Sequence, residues 1–227
     1  MKISEHTSHT FDAELNSVCE KVMTMAELVQ NQLAVSVNLL GSIDLVAIDR
    51  VLDMGHVVNA MEVEIDELCT SILVRRQPTA NDLRLVTTII KTINDLERIG
   101  DEAESIARVS RLIIQKNPQS LPSYAQISSV AEIAMEMLES AVAAFEAWDA
   151  DLAQTIVHKE SLIDQESGAI LRSLVGYSME DGHELSTAMH AALIARSIER
   201  IANHSKHISE YVLYMIKGRE VRNYSTI

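Results

Sequence analysis

The sequence is poor in turn-formers, aromatics, cysteine and basic charge, and each shortage excludes something. Three prolines and seven glycines punctuate 227 residues, so the backbone meets few obligatory breaks. Aromatics make up 4%, which removes side chains that sheets favour. Cys19 and Cys69 stand singly in apolar patterns; they form no CxxC pair and no disulfide framework, and read as buried, reduced thiols. No run approaches the roughly 18 apolar residues of a membrane helix. The start, MKISEHTSHTFDAEL, has no apolar secretion stretch. A cytoplasmic protein with no membrane insertion of its own is expected. The net charge of −14, without any Lys/Arg run, repels phosphate backbones and excludes nucleic-acid binding as a primary role.

What is present favours long helices. Hydrophobic residues make up 47% and charged residues 23%, enough apolar material for a packed core. Gly41-Ser42, Gln77-Pro78-Thr79, the stretch 117–122, Asp149-Ala150 and Gly182 interrupt six periodic segments, near 10–40, 44–76, 81–115, 123–148, 150–177 and 184–216. In the first, Val18, Val22, Met25, Val29, Leu33, Val37 and Leu40 alternate steps of three and four, which lays one apolar stripe along a helix. The third is rich in β-branched residues, but its length and spacing rule out a strand.

The two halves repeat. A shift of 105 residues carries Val22 onto Ile127, Leu33 onto Leu138, Asp44 onto Asp149 and Val58 onto Ile163. For the third segment the shift becomes 102, placing Leu83 on Leu185 and Glu97-Arg98-Ile99 on Glu199-Arg200-Ile201. The expected fold is all-α: two tandem three-helix bundles of long antiparallel helices, residues 1–116 and 117–227.

Residues able to carry chemistry lie on the third segment of each half. Glu97 and Asp101 stand four apart, one turn above another, continuing the line of Leu83, Val86, Ile90 and Ile93. Two carboxylates beside a core line need a cation, arginines or solvent as compensation, so a metal ion and a solvated face both remain open. The second-half counterpart reads Glu199 to Asn203, whose amide offers oxygen without charge. His207, four beyond Asn203, carries an imidazole able to replace the missing carboxylate, while a surface histidine pair with His204 is the plainer reading. Glu160 and Asp164 form another pair, but their first-half counterparts are Gly55 and Asn59.

The stretch RRQPTANDLRLVTTIIKTINDLERIGDEAESIA, with ARSIERIANHSKHISEYV as its second appearance, resembles the signature of the PhoU family, and the similarity runs over nearly the whole chain. The resemblance implies negative regulation of phosphate uptake and of the phosphate-starvation response, with the phosphate ABC transporter and its sensor histidine kinase as partners. It also implies iron or zinc at E/D-x-x-x-D motifs, carried here by Glu97 and Asp101 and by Glu160, Asp164 and Glu199. Asn203 and the Gly55/Asn59 pair depart from the pattern, so one or two ions per site are expected rather than a full cluster. A homodimer is expected.

Two other functions compete. A ferritin-like oxidase needs inward Glu-x-x-His pairs; the single one here, Glu180 to His183, contains Gly182. No Gly-rich phosphate loop or nucleophile triad is legible, so a non-enzyme is expected. A scaffold of the same fold with another target is the second alternative.

Overall fold

The computed structural model describes residues 9–41, 44–116, 124–179 and 185–218. The side chains of 9, 114–116, 124, 158, 160–162 and 177–179 lie outside that description, as do the interruptions at 117–122 and at Gly182 with its neighbours Glu180 and His183. Among these residues six helices follow in order: α1 (His9–Asn38), α2 (Leu45–Arg76), α3 (Ala80–Lys116), α4 (Tyr124–Ala147), α5 (Ala150–Met179) and α6 (Leu185–Lys217). No described residue is in a strand, and each helix falls within two residues of a periodic segment.

Local chemistry sets the helix ends. Asp44 caps α2, its Oδ1 accepting from the Val46 and Ala47 N–H groups at 3.0 Å each. Its repeat counterpart Asp149 caps α5, accepting from Asp151 and Leu152 at 2.9 Å each. At the other end of α2, Gln77 takes a left-handed conformation (φ 48°, ψ 55°) and its N–H returns to the Leu73 carbonyl. Pro78 then forbids continuation.

Helices α1, α2 and α3 pack on one another, as do α4, α5 and α6. The two trios meet along α3 and α6, the most extensive helix pairing among the described residues, with a smaller α1–α4 contact. One apolar core runs through both, from Leu15 and Met25 through Ile93 and Ile99 to Ile201 and Leu213. Burying each large aliphatic side chain contributes about 1.5–3 kcal/mol. Among the described residues, no helix is long and apolar enough to cross a membrane.

The offset of 102 transfers burial as well as residue type. Val86, Ile89, Ile93, Leu96, Ile99, Ala103 and Ile106 are buried on α3, and Ala188, Ala191, Ala195, Ile198, Ile201, Ser205 and Ile208 are buried on α6. The buried line of α3 differs from the one read in the sequence. Leu83 is 42% exposed and Ile90 only partly buried, because Ile89 and Leu96 fill the inward face. Glu97 and Asp101 consequently lie at the rim of the core.

Candidate functional site

The α3–α6 seam is antiparallel, and four contacts fix its register. Lys91 Nζ sits 5.4 Å from the Tyr211 ring centroid. Asp95 meets His207, Glu102 meets Arg200, and Ser105 meets Ser197. Each step down α3 is a step up α6. Under the 102-residue offset this register maps onto itself, so the seam has a local two-fold.

One end of the seam gathers the chemistry. Asp95 is buried on α3, and its Oδ1 lies 2.6 Å from His204 Nδ1 and 3.4 Å from His207 Nδ1. An ionised carboxylate only accepts, so the imidazole N–H groups donate. Tyr211, one turn beyond His207, also hydrogen-bonds the carboxyl. Burial pushes the Asp95 carboxyl up, but the bonds from His204, His207 and Tyr211 outweigh it and hold the group below its ordinary value. The two imidazoles pack edge-on with centroids 5.8 Å apart, as i, i+3 neighbours on one helix face should. Lys91 lies over the Tyr211 and Tyr214 rings.

The other end holds different residues at equivalent places. There Ser197 donates to Ser105 Oγ at 3.3 Å, and Glu102 is paired with Arg200 at 3.0 Å.

The carboxylates singled out by spacing are dispersed. Glu97 lies 3.5 Å from Arg98 Nε, and Asp101 lies 3.8 Å from the same guanidinium. Burial raises the Glu97 carboxyl, and the charge of Asp101 adds to it; burial likewise raises Asp101, while Arg98 pulls both back. Glu199 is paired with Arg196 at 2.6 Å, Asn203 is half-buried and Asp164 is exposed. The side chain of Glu160 lies outside the described residues. Gly55, its first-half counterpart, lets the Glu104 carboxylate in from α3: a Cβ on Gly55 would stand 1.7 Å from Glu104 Oε1. Among the described residues, the only three metal-ligating groups whose donor atoms converge within 4.8 Å are Asp95, His204 and His207. The carboxylates at Glu97 and Asp101 gather no third ligand there, so this set does not fit an iron or zinc cluster.

Of the residues proposed from sequence, His207 alone joins the convergent set. Asp95 and His204 were not among them. The i, i+3 histidine spacing was visible, but its carboxylate partner lies 109 residues away from His204, and only the folded seam joins them.

Comparison with known proteins adds the context. The PhoU domain family model matches twice, over residues 22–110 and 127–212. The matches start 105 residues apart and end 102 apart, the same two offsets the sequence repeat follows. The chain is 38% identical over 223 residues to the phosphate-specific transport system accessory protein PhoU of Escherichia coli, covering 98% of this chain and 92% of that protein. It is 37% identical to the PhoU homologue of Pseudomonas aeruginosa, covering 97% and 91%. Among solved structures, PhoU from Pseudomonas aeruginosa superposes with a TM-score of 0.89 at 37% identity, covering 92% of this chain and all of that one. The phosphate transport system regulatory protein PhoU from Streptococcus pneumoniae superposes at 0.85 and 26% identity, covering 93% and 99%.

Proposed function

Because this chain belongs to the PhoU family, we propose that it is an accessory regulator of phosphate uptake. In this reading it works in the cytoplasm as a homodimer and represses uptake and the phosphate-starvation response. It does so by binding the phosphate ABC transporter and its sensor histidine kinase. The observation that carries the reading is the match of both repeats, over nearly the full length, to proteins named as accessory to phosphate-specific transport.

The surface supports a binding role. Leu185, Met189 and Leu193 stand four apart on α6 and are 61%, 58% and 53% exposed, and Leu112 on α3 is 46% exposed. On the seam register Leu112 falls opposite the Met189–Leu193 stretch. An apolar strip of this kind suits a protein partner. Iron or zinc at Glu97 and Asp101 is no part of this reading, because no third ligand converges on that pair among the described residues. A ferritin-like oxidase gains no support, since the convergent set holds one carboxylate and two imidazoles where such sites use paired carboxylates.

The test is deletion of the gene in its own host, with phosphate-starvation promoters read in phosphate-rich medium. Derepression, restored to repression by the intact gene, is expected. Normal repression in the deletion strain overturns the proposal, and recovery of transporter subunits with the purified chain checks the partner.

A further inference from the structure

We propose that Asp95, His204 and His207 form a binding site for one divalent transition-metal ion of the zinc, cobalt or ferrous class, bridging α3 to α6. The site is separate from the carboxylate motifs and independent of the phosphate-regulatory reading.

Three observations carry it. The donors come from two helices and converge within 4.8 Å. A tetrahedral ion with bonds of about 2.0–2.1 Å sets its ligand atoms about 3.3 Å apart. The His207–Asp95 separation of 3.4 Å is long for a hydrogen bond but matches such a ligand edge. The His204–Asp95 edge, at 2.6 Å, opens by about 0.7 Å to reach the same ligand spacing.

The donor chemistry selects the ion. Two imidazoles and one carboxylate suit borderline cations, whereas calcium and magnesium require oxygen ligands throughout. Each ring gives its Nδ1 lone pair to the ion and carries its proton on Nε2. Tyr211, hydrogen-bonded to Asp95, supplies the outer partner that orients a ligating carboxylate. Both histidines are partly exposed, at 23% and 40%, so an ion can enter and leave and a fourth position stays open to water.

Packing alone does not require this set. Across the local two-fold, the same seam positions are occupied by Ser197, Glu102 and Ser105, with the two serines in direct contact. Buried Asp95 and its two imidazoles thus exceed what closing the helices demands.

The test uses the full-length, untagged chain, stripped with chelator and titrated with cobalt. One equivalent per chain is expected, with the intense visible absorption of a four-coordinate ion, displaced by zinc. Asp95→Asn and the His204→Gln/His207→Gln double variant should weaken binding more than about a hundredfold, beyond the loss from an outer-partner change. Glu97→Gln/Asp101→Asn should bind as the parent does. Circular dichroism confirms that each variant is helical. Absence of the band in the parent, or its survival in the double-histidine variant, overturns the site. A strain with normal phosphate repression leaves the cobalt result untouched, so the two proposals fail separately.

Discussion

Ser197 donates a hydrogen bond to Ser105 at 3.3 Å, at the place where the repeat's local two-fold would set Asp95 against His207. Ser197 and Asp95 are almost equally deep, at 4% and 7% exposure. The backbone therefore offers the same seat twice and furnishes it differently. Installing Ser197→Asp, Glu102→His and Ser105→His together should create a second cobalt site in a fully helical protein. Two equivalents in the absorption titration are the expected result, and one equivalent would mean that the halves do not superpose closely enough at the seam.

Removing the buried charge tests the seam's stability. In protein kept free of metal by chelator, Asp95→Asn should cost about 2 kcal/mol at pH 7, the scale of lost charge-assisted hydrogen bonds. Asp95 is held below its ordinary pKa of 3.8. Its contribution is therefore present above about pH 4 and disappears as pH falls through the lowered value. Urea unfolding from pH 7 downward should show the parent and variant curves converging at the acid end. A constant gap would remove Asp95 as the titrating group.

The thiols should be inert in the native state. Burial raises Cys69 from 9.0 to about 12 and Cys19 to about 11, so little thiolate exists near neutrality. At pH 7.5, a chromogenic disulfide reagent should find no rapidly reacting thiol in the folded chain and two after denaturation. The raised values also mean stability that is complete below pH 9 and declines as pH climbs toward 11–12. Rapid native labelling would contradict the burial of Cys69 and the partial burial of Cys19.

Two glycines should respond unequally to alanine. A Cβ on Gly100 would stand 3.1 Å from Gln32 Oε1 and 3.4 Å from Val58 Cγ1. Gln32 is fully buried and pinned by its bond to the Val51 carbonyl at 3.0 Å. Overpacking of about 1–3 kcal/mol outweighs the helix gain of about 1 kcal/mol. Gly100→Ala should therefore melt about 2–4 °C lower.

At Gly55 the contact with Gln32 Nε2 at 3.2 Å is offset by the helix gain, and the first obstacle is the tip of Glu104, a side chain able to swing away. The cost is its surface pair with Arg108 at 2.8 Å, about 0.5 kcal/mol. Gly55→Ala should melt within about a degree of the parent. Equal effects at both positions, read by thermal melts, would refute the distinction.

Helix positions were legible because each segment carries its own stripe and its own stop. Gly41-Ser42 and Asp149-Ala150 marked two boundaries, and Gln77-Pro78 marked another. The repeat was legible because buried positions conserve residue character at fixed offsets within the chain. The candidate site was legible in part. His207 was visible, but spacing along one helix cannot show what a facing helix supplies, so Asp95 went unassigned. The same limit favoured Glu97 and Asp101. Their periodicity suggested a core-facing line, while Arg98, one of the three residues between them, lies beside both carboxylates in the fold.

The unequal ends of the α3–α6 seam give the molecule a head and a tail. A duplicated unit that stayed symmetric would admit a partner in either of two senses, and each copy could be occupied twice. Here imidazole, phenol and amine stand at one end, while Leu112 and Leu193 stand exposed at the other. A partner long enough to read both ends would be held in one direction only.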